Sequence, residues 1–284
     1  MSALARLAAL PPVDLVELNE RAELQTRIDR KYLVPLDRLP AVLVRLDDDT
    51  RVLEIGGARD SAYESVYFDT PDLLSYRLAA TARRRRFKIR TRSYLDSELS
   101  FLEVKTRGGR AATVKGRVSV DPTSASTLEG EALAYAEETL AETGVTDARG
   151  LRLEATLVTR YRRATLLVPA TAERVESRAT IDVGLEWVDL EPAERHEACR
   201  PRRMRTPHLA IVETKSAATP GTVDRALWAE GLRPARVSKF ATGLAALHPE
   251  LPSNRWHRTL VRHFADATFA PASAPTPDRS ALAA

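Results

Sequence analysis

Short segments with alternating apolar and polar residues dominate the chain, and this period of two is typical of half-buried β-strands. Strands are predicted at 29–35, 62–69, 84–95, 100–106, 113–120, 151–158, 164–168, 180–186 and 209–214. Apolar spacing predicts helices at 14–24, 35–46, 129–143, 222–229 and 238–247. Many strands in succession, few helices and no βαβ rhythm favour an α+β fold that is mainly an antiparallel sheet or barrel.

The polar positions of these strands are mostly charged. Residues two apart in a strand point to the same face. In the segment 84–95 that face is entirely cationic, with Arg84, Arg86, Lys88, Arg90 and Arg92 opposite Phe87 and Ile89. Later segments repeat the pattern with Glu103, Lys105 and Arg107, with Lys115 and Arg117, with Arg152, Glu154 and Arg160, with Arg178 and Asp182, and with Glu213 and Lys215.

Two interpretations of the charged face are open. Each strand could be half buried with its charges facing water. However, like charges on neighbouring strands repel. A large number of cations on one sheet face is therefore better explained if an anion neutralises them. Closing the sheet with its polar face inward gives a closed β-barrel tunnel lined by cations, with flanking helices.

Carboxylates lie among the cations at Glu103, Glu154, Asp182 and Glu213. They would repel a phosphate ligand, but a divalent metal changes the sign of that interaction, because Mg²⁺ or Mn²⁺ is held by one or two carboxylates together with phosphate oxygens. Salt bridging within the sheet is the alternative role for each of these acids.

Composition limits the class of protein. The 284 residues are 44% hydrophobic, and 43 Lys plus Arg against 39 Asp plus Glu leave a net charge of only +4, so the net charge does not indicate a nucleic-acid partner. A single cysteine, Cys199, excludes an intramolecular disulfide. No apolar stretch is long enough for a membrane span and no secretion signal is present. A cytoplasmic protein without a membrane span is expected.

Seven motifs in a fixed order resemble a known family. They are Arg27-Ile-Asp-Arg-Lys31-Tyr, Val66-Tyr-Phe-Asp-Thr70, Ile89-Arg-Thr-Arg92-Ser-Tyr94, Phe101-Leu-Glu-Val-Lys105, Tyr161-Arg-Arg163, Ile211-Val-Glu-Thr-Lys215 and Arg236-Val-Ser-Lys239-Phe. Together they resemble the VTC domain, the polyphosphate polymerase domain of the vacuolar transporter chaperone complex, in the triphosphate tunnel metalloenzyme (CYTH-like) superfamily.

The resemblance implies a metal-dependent phosphotransferase that moves the γ-phosphate of ATP to a growing polyphosphate chain, with Mn²⁺ or Mg²⁺ as cofactor. It implies catalytic cations at Lys31, Arg90, Arg92, Lys105, Arg163, Arg178 and Lys239. Further substrate contacts are expected at Arg27, Lys88, Lys115, Arg117, Lys215 and Arg236. Glu213 is the implied metal ligand, and Glu103 is a second candidate. ATP and inorganic polyphosphate are the expected partners; protein partners remain open.

The family has a bulky aromatic residue where this chain has Ser93, so a changed contact with the nucleotide base is expected. Three alternative functions are open. The first is hydrolysis of inorganic triphosphate or of a nucleoside triphosphate. Hydrolases of the superfamily typically have a Glu-x-Glu-x-Lys strand, whereas the segment ending at Lys31 has only Asp29. The second is a non-catalytic receptor for polyphosphate or inositol polyphosphates. The third is RNA binding, which the scarcity of exposed aromatic residues on the basic strand disfavours.

The predicted domain organisation is one VTC-like domain at 1–250 and a C-terminal extension at 251–284. From about residue 267 the extension is rich in Ala, Pro and Ser, which predicts disorder there.

Overall fold

The structure is a computed structural model that describes residues 3–21, 28–107, 113–144, 150–190 and 203–271, apart from the side chains of 3–5 and 113–115. Two residues named in the sequence analysis, Arg27 and Cys199, lie outside the described residues. For Lys115 only the backbone is described.

Twelve strands and eight helices make up the described chain. The strands are β1 (Pro12–Val13), β2 (Ile28–Pro35), β3 (Arg51–Leu53), β4 (Ser61–Asp69), β5 (Arg86–Tyr94), β6 (Leu99–Arg107), β7 (Thr113–Val120), β8 (Glu154–Val168), β9 (Ser177–Asp189), β10 (Arg203–Arg205), β11 (Leu209–Ser216) and β12 (Thr268–Ala270). The helices are α1 (Ala3–Ala9), α2 (Leu15–Arg21), α3 (Leu39–Val44), α4 (Leu74–Ala80), α5 (Gly130–Glu142), α6 (Thr222–Ala229), α7 (Lys239–Leu247) and α8 (His257–His263).

The chain divides into two compact units. The first unit comprises Met1–Ala62, Tyr161–Leu185 and Thr206–Val237; the second comprises Tyr63–Arg160, Glu186–Arg205 and Ser238–Ala284. Strands β8 and β9 each contribute residues to both units. The predicted organisation, one domain at 1–250 and an extension at 251–284, stays a prediction.

In the first unit, β11 lies between β2 and β9, antiparallel to both. Strand β3 pairs with β8, and the parallel pair β1–β3 completes this part of the sheet. One face of these strands packs on α1, α3 and α6 in a core that includes Tyr32, Val212, Ile181, Leu43 and Leu227. Charged residues at the alternate positions of β2, β9 and β11 are therefore left on the opposite face.

In the second unit, β4, β5, β6 and β7 form an antiparallel ladder in chain order. Ile89, Leu102 and Val104 on one face of this ladder are fully buried, and they pack in one core with Ala136 and Leu140 of α5. The cations of β5 and β6 occupy the other parity. The predicted alternation of apolar and charged positions is thus confirmed for these strands.

The sheet is mainly antiparallel and flanked by helices, as predicted. The prediction of a closed barrel is not confirmed by the hydrogen bonding. Among the strands that the structure describes, β7 pairs only with β6, and β2 pairs only with β11. A closed sheet would require a second neighbour for each of them.

The C-terminal region contains more structure than the sequence predicts. Helix α8 lies in the expected extension, and β12 pairs with β10 in the register Arg203↔Ala270. Residues 268–270 thus depart from the expected disorder, and 272–284 lie outside the described residues. None of the described helices combines the length and the apolar character needed to cross a membrane.

Candidate functional site

Cations line one face of the ladder in the second unit. We call this the cationic face and define it by Lys88, Arg90 and Arg92 of β5, Lys105 of β6 and Arg117 of β7. The strand register places Lys88 opposite Lys105 and Glu103 opposite Arg117. All five are expected phosphate contacts from the sequence, and the backbone of Lys115 lies opposite Lys105 in the same ladder.

Arg90 is held firmly at the centre of the cationic face. Its Nε and Nη2 donate to one oxygen of Glu103, at 2.9 and 2.6 Å, and its Nη1 donates to the hydroxyl of Tyr67 at 3.2 Å. The Tyr67 ring also lies 5.7 Å from the Lys88 ammonium. Glu103 is buried, so these cations, instead of water, compensate its carboxylate. Tyr67 is a site residue that the sequence analysis missed.

Arg92 has more hydrogen-bonding capacity left over. It lies 3.5 Å from the second oxygen of Glu103, and its side chain is only 12% exposed. Its buried Nε has no hydrogen-bond partner among the described residues. A buried N–H without an acceptor is unfavourable, so this group is suited to an anionic oxygen from a ligand.

A carboxylate between two lysines forms the centre of the charged face in the first unit. We call Lys31, Glu213 and Lys215 the Glu213 cluster. The Lys31 ammonium lies 2.5 Å from one oxygen of Glu213, and the Lys215 ammonium donates to the other. The arrangement follows from the register, because Glu213 of β11 is directly opposite Lys31 of β2.

The two lysines keep Glu213 ionised. Burial opposes the charge, but the attraction of Lys31 and Lys215 outweighs it and holds the pKa of Glu213 well below its ordinary value. Burial also lowers the pKa of Lys215, although Glu213 and Asp29 act in the opposite direction. The cluster therefore presents a carboxylate that is ionised at neutral pH between two lysines.

Arg163 and Asp182 form a second buried ion pair in the first unit. Nε and Nη2 of Arg163 donate to the two carboxylate oxygens at 2.6 and 2.8 Å. Asp182 lies opposite Ile211 of β11, and Arg178 lies opposite Lys215. Both therefore share a face with the Glu213 cluster. Sequence analysis identified Asp182 as an acid on the charged face but did not predict its bidentate partner.

The Glu213 cluster is supported from behind by a buried network around Asp224, a residue that sequence analysis missed. Asp224 accepts hydrogen bonds from the hydroxyls of Tyr32, at 2.7 Å, and Thr214, at 2.6 Å. Ser216 donates to its second oxygen at 3.1 Å. Because Tyr32 and Thr214 neighbour Lys31 and Glu213 in sequence, this network fixes both strands. The available signal was polar residues at the core-facing parity of β11, which require a buried partner.

Two cations of the last motif lie in different units. Arg236 is exposed in the first unit, next to Ala235, whose N–H donates to the carbonyl of Lys31 at 2.8 Å. Lys239 begins α7 in the second unit, where its carbonyl accepts from Trp187 Nε1 at 2.7 Å. The next residue, Phe240, stacks on Tyr67 with 5.1 Å between ring centroids. Lys239 is thus the sequence neighbour of Phe240, which stacks on Tyr67, and Tyr67 in turn contacts Arg90.

Three charged residues of the predicted stripes occupy other positions. Arg84 is exposed and precedes β5, which begins at Arg86. Arg152 precedes β8 and pairs with Glu154 at 2.6 Å. Arg160 belongs to a separate group, in which it donates to Glu64 at 2.7 Å and to Glu186 at 3.3 Å. Glu64 has the opposite parity on β4 to Tyr67, so this group is not part of the cationic face.

Ser93 also differs from its expected role. Its hydroxyl lies 2.8 Å from that of Ser100 across the β5–β6 pair. Because Ser93 has the opposite parity to Arg92, it is directed away from the cationic face. A changed contact with a nucleotide base is therefore not expected from this position, whereas the neighbouring Tyr94 shares the parity of Arg92.

The donor set for a divalent metal is small. Among the described residues, no three His, Cys, Asp or Glu side chains form a group that could hold a metal ion. Glu213 supplies hard, ionised oxygens, and it fits an ion that takes most of its ligands from phosphate and water, as Mg²⁺ commonly does. Both acids are ion-paired, but the Glu103 side chain is only 6% exposed and that of Glu213 is 17% exposed, which makes Glu103 the poorer candidate.

Comparison with solved structures finds chains of similar overall path at low identity. The Hippeastrum protein HpAC1, an adenylyl cyclase candidate described as having a dominant triphosphatase activity, is 14% identical, with a TM-score of 0.40 over 76% of this chain and 94% of its own. The PH1819 protein from Pyrococcus horikoshii OT3 is 11% identical, with a TM-score of 0.38 over 76% of this chain and 98% of its own. A conserved hypothetical protein from Pyrococcus furiosus is 10% identical, with a TM-score of 0.36 over 75% and 98%.

These scores are too low to support an argument about function, and no curated protein matches the chain. The family comparison is decisive, because residues 26–248 match the VTC domain. That span contains both the cationic face and the Glu213 cluster. The chain belongs to the VTC domain family.

Proposed function

We propose that this protein is a polyphosphate polymerase that transfers the γ-phosphate of ATP to a growing inorganic polyphosphate chain. The observation that carries the proposal is the cationic face, where the Lys and Arg side chains that define it share one surface with the buried carboxylate of Glu103. Such a surface is unstable by itself because of charge repulsion, and a multiply charged phosphate ligand would neutralise it. Membership of the VTC domain family supports phosphate as the ligand.

In the proposed reaction, an oxygen of the terminal phosphate of the polymer attacks the γ-phosphorus of ATP. The bond between the β- and γ-phosphates breaks, ADP leaves, and the polymer is longer by one phosphate. Phosphoryl transfer depends on positioning and charge neutralisation more than on covalent catalysis. Arg90 and Arg92 would orient the phosphates through directional N–H groups, while Lys88 and Lys105 would supply mobile positive charge.

The first unit has its own candidate phosphate contacts at Lys31, Lys215, Arg163 and Arg178. In the same unit, Glu213 is the carboxylate that would hold Mn²⁺ or Mg²⁺ jointly with phosphate oxygens. Lys31 and Lys215 keep Glu213 ionised. Both lysines are also available to phosphate oxygens once Glu213 is shared with another cation. Arg163 is already bidentate to Asp182, which fixes its position.

Hydrolysis is the competing reaction, with water in place of the polymer as acceptor. Asp29 is the one acid on β2, and it lies 4.0 Å from the Lys215 ammonium. Strand β2 therefore lacks the second acid of the Glu-x-Glu-x-Lys strand that is typical of the superfamily's hydrolases. For this reason polymer synthesis is the preferred proposal.

A single assay separates the alternatives. Purified protein is incubated with ATP and Mn²⁺ or Mg²⁺, and polyphosphate ladders on a gel and free phosphate are measured together. The proposal expects long chains and equimolar ADP. Free phosphate without polymer would replace it with a triphosphatase, and tight polyphosphate binding without either product would replace it with a receptor. Glu213→Gln is expected to lose the metal-dependent turnover, whereas Arg84→Ala, which removes an exposed cation, is the matched control.

A further inference from the structure

The cationic face ends in aromatic side chains. Along the ladder, the row containing Arg90 and Glu103 is followed by the row of Arg92 and Phe101 and then by the row of Tyr63 and Tyr94. All of these residues share one parity and therefore one face. We call Tyr63, Tyr94 and Phe101 the aromatic patch. Charge thus changes to aromatic surface along the strands of a single unit.

The aromatic patch is packed as a group. The rings of Tyr63 and Tyr94 have centroids 4.9 Å apart, and Tyr94 meets Phe101 edge to face at 6.0 Å. Tyr63 is buried, whereas Tyr94 and Phe101 are partly exposed. The guanidinium carbon of Arg92 lies 6.0 Å from the centroid of the Tyr63 ring, and that of Arg117 lies 5.0 Å from the centroid of the Phe101 ring. The patch is therefore supported from below and joined to the cations beside it.

A surface with aromatic rings at one end and guanidinium groups beside them suits a ligand that has both a flat base and phosphates. Bases stack on aromatic side chains with little dependence on sequence, because every base has a π-face. Arginine can bind phosphate and stack in the same site. Inorganic polyphosphate offers nothing to such rings, so the patch points to a nucleotide.

The spacing along the strands is suitable. Tyr94 is four positions after Arg90, which corresponds to about 13 Å at the rise of a β-strand. This is comparable with the distance from base to terminal phosphate in an extended nucleoside triphosphate. A base on the patch would place the phosphates along Arg92, Arg90 and Lys105.

We propose that the aromatic patch binds the nucleobase of a nucleoside triphosphate whose phosphates lie on the cationic face. This inference rests on the proposed function and adds where the donor's base is held. Stacking without a bidentate amide or carboxylate partner gives little discrimination between bases. ATP and GTP are therefore expected to bind with similar affinity. Both are expected to bind more tightly per negative charge than inorganic tripolyphosphate does.

Calorimetric titration of the full chain tests the inference with ATP, GTP and inorganic tripolyphosphate. Phe101→Leu and Tyr94→Leu remove a ring and retain apolar volume. Each is expected to weaken ATP binding by about tenfold, in line with the loss of one stacking contact, while tripolyphosphate binding is retained. Phe269→Leu, which removes an exposed ring outside the aromatic patch, is expected to bind ATP as the parent does. Arg92→Ala is expected to weaken the binding of both ATP and tripolyphosphate.

Several results would overturn the inference. Equal losses of ATP and tripolyphosphate affinity in Phe101→Leu would mean that the ring only supports the phosphate site, and unchanged ATP affinity in both variants would mean that the base lies elsewhere. Displacement of ATP by a single-stranded oligoribonucleotide at far lower concentration would assign the patch to RNA. Melting temperatures of the variants identify any loss of folding.

The outcome is separable from that of the polymerase proposal. Patch-dependent ATP binding without polymer synthesis would contradict the proposed reaction and leave the nucleobase site intact. Polymer synthesis with unchanged ATP binding in the patch variants would contradict only the nucleobase site.

Discussion

At the scale of single residues, Arg90 and Arg92 carry the same charge but differ in how many of their N–H groups are hydrogen-bonded. Arg90 contacts Glu103 through two nitrogens and Tyr67 through a third. Arg92 approaches Glu103 only at 3.5 Å and has a buried Nε without an acceptor among the described residues. Arg90 therefore acts as a fixed part of the surface, and Arg92 is the guanidinium best prepared to bind a phosphate oxygen.

Arg92→Ala is expected to weaken tripolyphosphate binding by about tenfold or more, since a hydrogen bond to a charged group contributes roughly 1.5–3 kcal/mol. Arg92→Lys should restore only part of this affinity, because an ammonium cannot reproduce the planar fork of a guanidinium. Isothermal titration of each variant measures the effect.

Arg84→Ala is the control for Arg92→Ala. It removes a cation of the same basic run, but from an exposed position before β5. A loss of affinity as large in Arg84→Ala as in Arg92→Ala would point to diffuse attraction by surface charge instead of a defined site.

Glu213 gives a prediction about pH. Its pKa in the folded protein lies well below the ordinary value because of Lys31 and Lys215, whereas in the unfolded chain it titrates normally at about 4.3. The carboxylate therefore stabilises the fold above about pH 4.3, and this contribution is lost as the pH falls through the depressed pKa. In Glu213→Gln that part of the acid dependence should be absent.

Denaturant unfolding over a range of pH measures this difference. The parent protein should lose stability more steeply than Glu213→Gln below about pH 4.3. Parallel curves for the two proteins would show that the lysines do not hold Glu213 ionised. Glu64→Gln, which changes a carboxylate in the separate group around Arg160, is the comparison for a general effect of removing an acid.

At the scale of elements, long alternating strands were predictable and short or capped elements were not. Strand β7 occupies the predicted range 113–120, and β5 begins two residues later than predicted. The three-residue strands β3, β10 and β12 are too short to show a period. Helix α4 was missed because its first turn is stabilised by Asp69, whose carboxylate accepts the N–H groups of Ser75 and Tyr76.

Site residues were predictable to the same extent. Parity alone grouped Lys88, Arg90 and Arg92, and the structure places them on one face. It could not distinguish them from Arg160, because ion-pair partners such as Glu64 come from strands distant in sequence. The partners of Arg163 and Arg90 likewise depend on strand register. Register is set by tertiary packing, which a single strand does not reveal.

Helix α7 provides a prediction at this scale. A Cβ on Gly243 would lie 2.3 Å from Cδ1 of Trp187, whose ring is held by its hydrogen bond to the carbonyl of Lys239. Alanine is favoured over glycine in helices by about 1 kcal/mol, but the overlap here is expected to cost more, about 1–3 kcal/mol net. Gly243→Ala should therefore lower the melting temperature.

The matched variant is Ala246→Gly, which loses helix propensity in the same helix without creating an overlap. Thermal unfolding followed by Trp fluorescence reports on both stability and the surroundings of Trp187. Because Lys239 shares its carbonyl with Trp187, Gly243→Ala should also weaken polyphosphate binding more than Ala246→Gly does. A gain in stability for Gly243→Ala would contradict the close packing of α7 on Trp187.

At the scale of the whole molecule, a net charge of +4 conceals a strongly uneven distribution. In the first unit, Asp29, Asp182 and Glu213 nearly balance Lys31, Lys215, Arg163 and Arg178 on the charged face of β2, β8, β9 and β11. In the second unit, the five cations that define the cationic face share their surface with Glu103. The first unit is thus the better place for a metal, and the second unit is the better place for phosphate.

This uneven charge should make ligand binding compete with stability. Lys88 lies directly opposite Lys105, and Arg86 lies opposite Arg107, whose charge adds to burial in lowering the pKa of Arg86. Like charges in directly opposed positions are destabilising.

Lys105→Gln is therefore expected to raise the melting temperature of the ligand-free protein and to reduce the further rise that tripolyphosphate produces. Added salt, which screens exposed charges, should stabilise the parent more than Lys105→Gln. Glu103→Gln removes the opposing charge and should have the reverse effect on the ligand-free protein. Differential scanning fluorimetry of the parent and the two variants measures these melting temperatures with and without tripolyphosphate and at low and high salt. A lower melting temperature for Lys105→Gln together with an unchanged response to tripolyphosphate would refute the competition between ligand binding and stability.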